Sequence, residues 1–451
     1  MTVIRFAATA VVFSSLLISA AVRAQAPAAA SGDSPPIELG SRRELFVDDF
    51  LIDRTQNVRY ELARPRDEGV ALKFDRPWEG AFCGYCTVMA VDGKFRVYYR
   101  GLPTAQSDGS ARESTCVAFS DDGIHWSKPE LGLFSVDDTT KNNVVLSQAA
   151  PFTHNFSPFL DERPGVPATE RFKAVAGVMS SGLALYASPD GLKWQRMHDK
   201  PFLTKDQVPF RYMFDSQNLA FWSALEGKYV CFFRVFEDNI RRVARTDSTD
   251  LVHWSPPVLM QYRHRGGSAP IEHLYTSQTH PYFHAPHIYV SLAARFFPGR
   301  QVLSESQAKE VGVNPGYFKD TSDAILQTTR GGNVYERTSL EGFIRPGVGP
   351  QNWVSRTNYP ALNILKTGPT EMSIYVNQDY AQPTAHLHRY SVRLDGLASL
   401  RAGYSGGEVV TKPLTFAGRR LLLNFATSAA GGVRVEVQDA KGKPLPGFSL
   451  D

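Results

Sequence analysis

The sequence predicts an all-β protein, a five-bladed β-propeller followed by a short β-sandwich segment. Three observations lead to this fold class. One turn motif recurs between β-rich runs, and aromatic, Gly and Pro residues are frequent, as in chains with many strands and turns. The copies of the motif are spaced by roughly 60 to 80 residues, which is the length of a four-stranded blade rather than of a helical repeat.

The recurring motif reads Ser-x-Asp-Gly-x-x-Trp. Asp-Gly supplies the left-handed backbone of a tight hairpin, and the Trp brings a large apolar face into the next strand. Because the aspartates recur in this way, we interpret them as turn residues without a chemical role. Three clear copies and two weaker ones are Ser120-x-Asp122-Gly123-x-x-Trp126, Ser188-x-Asp190-Gly191-x-x-Trp194, Ser248-x-Asp250-Leu251-x-x-Trp254, Thr329-x-Gly331-Gly332-x-x-Tyr335 and Arg393-x-Asp395-Gly396-x-x-Ser399.

A pair of predicted strands precedes each copy. Both are rich in β-branched and aromatic residues. Prolines in several first strands are tolerated if these strands line the central axis, with one edge facing the channel. The first strands are expected at residues 85–89, 156–160, 219–222, 281–283 and 359–362, and the second at 95–99, 172–175, 229–233, 288–292 and 372–376.

Residues 43–400 therefore form the predicted propeller. Within it, residues 43–65 are the candidate for an N-terminal strand that completes the last blade, or else for a packed N-terminal arm. The long insertion at residues 298–319 has helical character at 305–310. We expect it to border the functional site, because long insertions in compact domains often do so.

The chain starts with the features of a signal peptide, residues 1–24. Arg5 precedes an apolar stretch at residues 6–22, and small residues suited to cleavage follow. A membrane anchor is the alternative, but the apolar run is short for a span. We expect a periplasmic or secreted protein with a disordered linker, rich in Ala, Pro, Ser and Gly, at residues 25–42.

Residues 401–451 are predicted as a partial β-sandwich. Strand-like runs lie at residues 408–411, 421–425 and 433–437, and Gly-Gly pairs mark the turns between them. These are too few strands to close two sheets. Either this segment packs as a small sheet on the propeller, or the chain is truncated.

Composition limits the partners and cofactors. The net charge is +4 without any block of Lys and Arg, which argues against nucleic acid, and no later segment is apolar enough for a membrane span after signal cleavage. Cys83 and Cys86 have the spacing of half a zinc site, but the other two cysteines do not form a second such pair, so free buried thiols or one bridge are expected. The histidines of the fourth blade lack ligand spacing as well, so no metal and no cofactor are expected. The four histidines concerned are His264, His280, His284 and His287.

Polar residues stand where the predicted first strands begin. The innermost strands of a propeller converge on its axis, so these residues should ring one pocket. Many donors and acceptors beside aromatic rings suit a sugar, although structural polar pairs would give the same pattern. The expected substrate-binding residues are Asn155, Gln217, Asn218, Trp222, His273, His280, Arg356, Asn358 and Tyr359.

Cleavage of a glycosidic bond requires two carboxyl groups, one protonated and one ionised. Asp215 is the best candidate because it lies three residues before Asn218. Glu272 is next, since the neighbouring His273 is placed to tune its protonation. Glu79, before the first blade, is the third candidate, with a channel cap as its alternative role.

The chain resembles the five-bladed propeller glycoside hydrolases of families 32, 43 and 68, over about four-fifths of its length. It is most similar to secreted family 32-like propeller proteins. The motifs that carry this resemblance are Leu45-Phe-Val-Asp-Asp49, Ser120-x-Asp-Gly-x-x-Trp126 and Trp353-Val-Ser-Arg-Thr-Asn-Tyr-Pro360. In family 32 a β-sandwich follows the propeller, which matches the C-terminal segment here.

The catalytic strings of family 32 are absent: Trp-Met-Asn-Asp-Pro-Asn-Gly, Arg-Asp-Pro and Glu-Cys. The resemblance therefore implies the fold but not the catalytic residues. The predicted function is a secreted monomeric glycoside hydrolase-like enzyme acting on a poly- or oligosaccharide with Asp215, Glu272 and Glu79 as candidate carboxylates. The alternative is a non-catalytic carbohydrate-binding propeller. Two funnel carboxyl groups that reach a common pocket would favour the enzyme.

Overall fold

The computed structural model describes residues 35–450 and the backbone of residues 3–8. The rest of the predicted signal peptide and the first part of the linker, residues 1–2 and 9–34, lie outside the described residues. The chain forms two compact units, Ala63–Leu397 and a second unit made of Met1–Leu62 and Ala398–Asp451. Among the described residues, no helix is long and apolar enough to cross a membrane.

Four strands precede the larger unit in the chain. They are β1 (Val3–Ala8), β2 (Ile37–Gly40), β3 (Ile52–Gln56) and β4 (Val58–Leu62).

The larger unit consists of five sheets that follow one another along the chain in a propeller-like arrangement. It begins with β5 (Arg66–Lys73). The strands of the first three sheets are β6 (Gly84–Val91), β7 (Lys94–Gly101), β8 (Ser114–Ser120), β9 (Val144–Leu146); β10 (Ser157–Leu160), β11 (Phe172–Val178), β12 (Gly182–Ser188), β13 (Gln195–Arg196); and β14 (Leu219–Ser223), β15 (Lys228–Glu237), β16 (Ile240–Ser248), β17 (Val258–Leu259).

The last two sheets are larger. The fourth has seven strands, and the fifth includes β5 from the start of the unit. Their strands are β18 (Gln261–His264), β19 (Gly267–Ser268), β20 (Leu274–Thr276), β21 (Thr279–Tyr282), β22 (Ala285–Phe297), β23 (Thr321–Thr329), β24 (Val334–Glu336); and β25 (Tyr359–Pro360), β26 (Leu365–Lys366), β27 (Glu371–Gln378), β28 (His386–Arg393). The short helices are α1 (Glu305–Glu310) and 3-10 turns at Ala168–Glu170, Lys205–Gln207 and Pro350–Asn352.

The predicted first and second strands of every repeat are confirmed: they overlap β6, β10, β14, β21 and β25, and β7, β11, β15, β22 and β27. The first strands also converge. Thr87 of the first sheet bridges Leu362 beyond β25, and Gln217 Nε2 donates to Thr87 Oγ1 at 2.8 Å. Gln278 Nε2 in turn donates to Gln217 Oε1 at 2.7 Å and to the carbonyl of Pro360 at 2.8 Å. These strands therefore lie innermost.

The fifth sheet is completed by β5, which pairs antiparallel with β28, for example Val70 opposite His388. Residues 43–65 were the candidate for this strand, with a packed N-terminal arm as the alternative. Instead, β3 and β4 in that segment pair with C-terminal strands of the other unit. The difference has a physical reason, since β5 is an edge strand with four charged residues, and such strands lack the apolar pattern on which sequence prediction depends.

The recurring turn is confirmed as a structural element. Asp122 Oδ1 accepts from the backbone N–H groups of Ile124 at 2.7 Å and His125 at 2.8 Å, and Ser120 Oγ accepts from Gly123 N at 2.8 Å. The copies at Ser188 and Ser248 repeat these bonds. The side chains thus satisfy backbone groups that the hairpin leaves open.

The turns also join neighbouring sheets. Tyr98 of β7 donates from its hydroxyl to the carbonyl of Gly191 in the turn of the second sheet, at 3.0 Å. Tyr375 of β27 makes the equivalent bond to Gly123 in the turn of the first sheet. Trp194, from the same turn as Gly191, packs with ring centroids 6.3 Å from Tyr98. These two turns therefore connect their sheets to the neighbouring ones.

The insertion between β22 and β23 contains the predicted helix. Ser304 caps α1 by accepting from the backbone N–H of Gln307, and the Gln307 side chain accepts from the backbone N–H of Ser304. Both hydrogen bonds of a capping box are therefore present at the start of this six-residue helix. Ala308 and residues around it share a buried cluster with Phe82, just before β6 of the first sheet, and Tyr380, just after β27 of the fifth. The four cysteines are buried and unbridged, which was the first of the two expected arrangements.

The C-terminal strands are β29 (Ala398–Ala402), β30 (Gly407–Thr411), β31 (Leu414–Phe416) and β32 (Arg434–Gln438). They pair with the N-terminal strands: β29 with β4, β30 with β1 and β3, and β31 with β2. The strand predicted at residues 421–425 was wrong, because Leu421, Leu422 and Phe425 are exposed and belong to no strand. An apolar run without a packing surface does not form a strand.

Candidate active site

The backbone is strained where the first strands begin. At each entrance a non-glycine residue has a positive φ, a conformation that costs free energy and clusters at functional sites. In an antiparallel meander, the start of the first strand and the loop between the second and third strands lie at the same end of the sheet. The strained residues are Tyr85 (φ 50°), Asn155 (49°), Phe214 (70°), Gln278 (49°) and Asn358 (61°).

Two aspartates lie close together at this end of the sheets. Asp108 lies in the loop between β7 and β8, and Asp215 lies just before β14. One oxygen atom of each, together with a ring nitrogen of His154, falls within 4.8 Å of the others. The side chains of Asp108 and Asp215 are 50% and 44% exposed, so both carboxyl groups are accessible. The site therefore holds two neighbouring carboxyl groups that solvent reaches.

Asp215 is held in the ionised form. Its Oδ2 accepts a hydrogen bond of 2.6 Å from Nη2 of Arg234. Burial raises the pKa of Asp215, but the charges of Arg234, Arg356 and His154 outweigh that effect and lower the pKa to about 2. Asp215 is thus a carboxylate at any pH near neutrality.

Asp108 is shifted in the opposite direction. Burial and the negative charge of Asp215 raise its pKa above the usual value, although His154 and Arg100 act against the shift. Two neighbouring carboxyl groups whose pKa values are driven apart provide an acid and a base at the same pH. The pair is therefore chemically asymmetric.

A buried histidine supports the loop that carries Asp108. His154 Nδ1 lies 3.0 Å from both carboxylate oxygens of Glu113, and the backbone N–H of Gly109 donates to Glu113 at 3.2 Å. Asn155 Nδ2 donates to His154 Nε2 at 2.9 Å, and His154 Nε2 lies 3.9 Å from Asp108 Oδ1. His154 lowers the pKa of Glu113 despite its burial. This network positions Asp108.

Arg100 fixes the wall on the side of the first sheet. Its guanidinium donates to Asn155 Oδ1 at 3.2 Å, to the carbonyl of Phe82 at 3.0 Å and to the hydroxyl of Tyr380 at 2.9 Å. It also lies over the ring of Tyr85, 4.8 Å from the centroid. Because these contacts join the first, second and fifth sheets, Arg100 ties their entrances together.

The opposite wall is aromatic and cationic. Tyr275 and Tyr359 pack with ring centroids 5.2 Å apart. Arg356, which has a φ of 58°, lies over Tyr275 at 5.6 Å and over Tyr317 at 5.0 Å. The structure thus brings the predicted residues Arg356 and Tyr359 to the same site as Asp215.

The other predicted residues at the entrances are buried and hydrogen-bonded to their surroundings. Asn218 Nδ2 donates to the carbonyl of Phe214 at 3.1 Å, and Asn358 Nδ2 donates to that of Ser322 at 3.1 Å. His280 Nδ1 lies 3.0 Å from the Gln278 carbonyl, and burial lowers its pKa to about 4, so the ring is neutral. With Gln217 and Asn155, these side chains shape the entrances.

Glu79 and Glu272 have other partners. Glu79 is fully buried and accepts from the hydroxyl of Tyr99 at 2.6 Å and from Lys128 at 2.5 Å. Glu272 accepts from Arg295 at 2.8 Å and from Arg337 at 2.7 Å. Both carboxylates are thus paired with cations in structural positions, and neither is among the groups that surround Asp215.

Trp222 and His273 also lie elsewhere than expected. Trp222 is at the far end of β14, where its ring packs 5.0 Å from Tyr229. It is four residues beyond Asn218, or about 13 Å along a strand. His273 accepts from the backbone N–H of Arg241 at 3.3 Å, and burial followed by the charge of Arg241 lowers its pKa. Neither contacts the aspartate pair.

Sequence reasoning missed Asp108, His154, Arg100 and Arg234. Arg100 and Arg234 each directly follow the aromatic end of a predicted second strand, and this repeated position was an available signal. Asp108 precedes Gly109 and looks like another turn residue. Its loop was the better indication, since the twelve residues between β7 and β8 far exceed the two between β15 and β16.

Asp108, His154 and Asp215 are also a possible ligand set for a cation. Their other contacts disfavour that use. Arg234 already donates to Asp215, and both nitrogens of His154 are engaged by Glu113 and Asn155. A guanidinium on one ligand places positive charge where a cation would bind, so the residues do not fit a metal well.

Comparison with known proteins gives a likeness of fold. No protein-family profile matches the chain, and no curated protein matches it in sequence. A structure described as a glycoside hydrolase is similar with a TM-score of 0.48 and 14% identity, covering 78% of this chain and 96% of that one. A family 62 α-L-arabinofuranosidase catalytic domain from Coprinopsis cinerea has a TM-score of 0.44 and 10% identity, covering 74% and 98%.

An N-acetylgalactosamine deacetylase from F. plautii, solved with blood group B trisaccharide, has a TM-score of 0.43 and 13% identity, covering 81% and 96%.

Proposed function

We propose that the protein hydrolyses a glycosidic bond with Asp108 and Asp215 as its two carboxyl groups. The observation that carries the proposal is the approach of these carboxyl groups within 4.8 Å, at an accessible edge and with pKa values driven apart. Hydrolysis of a glycosidic bond requires this combination of a protonated and an ionised carboxyl group.

The proposed roles follow from the pKa directions. Asp108, whose pKa is raised, donates its proton to the leaving oxygen, while ionised Asp215 attacks the anomeric carbon and forms a glycosyl ester. Asp108 then removes a proton from water, which attacks the anomeric carbon and releases Asp215. Separations of about 5–5.5 Å serve such a retaining mechanism, whereas inverting enzymes need about 6.5–9.5 Å.

In this proposal the five sheets act as five blades around one axis, and Glu79, Glu272 and Trp222 are structural. Arg356, Tyr359 and the polar residues at the strand entrances shape the sugar site. The predicted signal peptide makes the periplasm or the medium the proposed location. The competing hypothesis from the sequence is a non-catalytic carbohydrate-binding propeller. Such a protein would use the same pocket, but binding does not require two carboxyl groups whose pKa values are shifted in opposite directions.

The experiment is a screen of the full chain on oligosaccharides and aryl glycosides, followed by Asp215→Asn and Asp108→Asn on any substrate found. We expect each variant to lower kcat by about 10³-fold or more while keeping sugar binding. Asp121→Asn, an exposed turn residue, is the matched control and should retain full activity. Unchanged turnover in either variant would reject the assigned role, and sugar binding without any turnover would favour the binding protein.

Two further measurements examine the mechanism. Proton NMR of the first product should show retention at the anomeric carbon. Dialysis against a chelator should leave activity unchanged, because the cluster of Asp108, His154 and Asp215 is proposed to act without a metal. Loss of activity that added divalent cations restore would overturn that part of the proposal.

A further inference from the structure

Three guanidinium groups converge on one aromatic ring in the candidate site. The Cζ atoms of Arg234, Arg241 and Arg356 lie 4.7, 5.2 and 5.6 Å from the ring centroid of Tyr275. Arg234 and Arg241 come from the adjacent strands β15 and β16, and Arg356 precedes β25. Tyr275 is 1% exposed, so the cations cover its ring at close range.

The donors of this cluster are only partly used by the protein. The side chain of Arg234 is 3% exposed and donates from Nη2 to Asp215, yet its Nε and Nη1 have no hydrogen-bond partner. Buried donors on a charged group are costly when they remain unpaired, so these atoms indicate an acceptor supplied by a ligand.

The charges of the cluster do not balance. Three cations surround Tyr275, and Asp215 is the carboxylate to which one of them, Arg234, donates. Arg241 packs over Phe236 and Phe296. Burial is the main cause that lowers the pKa of Arg241, and repulsion from the neighbouring charge of Arg234 lowers it further. An anionic group bound here would relieve this repulsion.

We propose that Arg234, Arg241 and Arg356 bind an anionic substituent of the sugar, a carboxylate or a sulfate ester. The planar fork of a guanidinium matches the paired oxygens of either group. The substrate class is then an acidic glycan rather than a neutral one. This inference rests on the proposed function only in taking a sugar as the ligand, since anion binding does not require turnover.

The test measures binding, by titration calorimetry on the full-length Asp108→Asn protein. The probes are an oligosaccharide ending in glucuronate, the same oligosaccharide with the carboxyl group reduced to an alcohol, and a sulfated neutral counterpart. We expect an acidic probe to bind at least about ten-fold more tightly than the reduced one. Preference for glucuronate assigns the group to a carboxylate, and preference for the sulfated probe assigns it to a sulfate ester.

Equal affinity for the acidic and reduced probes, or binding of none, would overturn the inference. Acidic probes that bind but are not hydrolysed by the wild-type protein would instead count against the proposed hydrolase. The two failures are therefore distinguishable.

A matched pair of variants locates the anion. Arg241→Met keeps an apolar contact with Phe236 and Phe296 and should lose at least about ten-fold in affinity for the acidic probe, without a lower melting temperature. Arg242→Met is the control, because the next residue on β16 faces the other way, lies over Tyr262 and donates to the carbonyl of Met260. Wild-type affinity in Arg241→Met would overturn the assignment.

Discussion

Arg234 donates to Asp215 across 2.6 Å while two of its other donor atoms, Nε and Nη1, remain unpaired. One guanidinium therefore serves two purposes in the candidate site. It keeps Asp215 ionised, and it presents charge and donors to a ligand. The consequences of this arrangement can be measured separately.

The first prediction concerns the pH dependence of turnover. Asp108 must be protonated and Asp215 ionised, so kcat/KM should fall as pH rises through the raised pKa of Asp108. Because the pKa of Asp215 is about 2, no acidic limb is expected above about pH 3. A rate profile on an aryl glycoside tests this, and activity that rises through about pH 7 would contradict it. Asp108→Asn should abolish the alkaline limb.

The second prediction is that Arg234→Gln raises the pKa of Asp215. Arg234 is the main group that lowers this pKa, and burial, which raises it, remains after the substitution. Carbon-13 NMR of the aspartate carboxyl groups should show the upward shift. Arg242→Gln, on the neighbouring strand β16 and opposite Val235 rather than Arg234, should leave it unchanged. A pKa that stays near 2 in Arg234→Gln would contradict the electrostatic explanation.

The third prediction concerns the contact between sheets. Tyr98 is fully buried, and Tyr98→Phe deletes its hydrogen bond to the carbonyl of Gly191 while leaving the ring in place. We expect a loss of about 1 kcal/mol in the free energy of unfolding, measured by urea denaturation. Tyr212→Phe, at an exposed tyrosine of the same unit, is the control and should cost almost nothing. Equal stability of both variants would contradict a role for this bond.

The fourth prediction concerns Tyr212 itself, three residues before Asp215. Its ring is 63% exposed and packs edge-on against Phe236 at 5.6 Å, which offers a face for sugar stacking. Tyr212→Ala should raise KM several-fold with kcat nearly unchanged, since uniform binding is lost. The melting temperature should not change. An unchanged KM would exclude Tyr212 from the sugar site.

Local patterns predicted much of the fold. Strong apolar runs such as that around Tyr98 became β7, and the capping residues around Ser304 produced α1 at the predicted residues. Prediction failed where local and tertiary signals differ. The charged strand β5 was missed because its stability comes from pairing with β28, and residues 421–425 are apolar but have no surface to cover.

The same division applies to the site. Asp215 was identifiable because it precedes a predicted strand entrance, and the turn aspartates were recognisable as structural because they recur. Glu272 and Glu79 ranked below Asp215 in sequence but stayed candidates, because nothing local shows that they are paired with cations. Their partners Lys128 and Arg295 lie 49 and 23 residues further along the chain.

By itself, then, the sequence determined the first two strands of each repeat, the recurring turns and the residues at the start of each first strand. These depend on side-chain periodicity and turn chemistry, which are local. The tertiary structure decided that β5 completes the fifth sheet and that Asp108, in a long loop of the first sheet, meets Asp215 of the third. Neither contact is encoded in a local pattern, because each arises only when the innermost strands converge and bring the edges of separate sheets together.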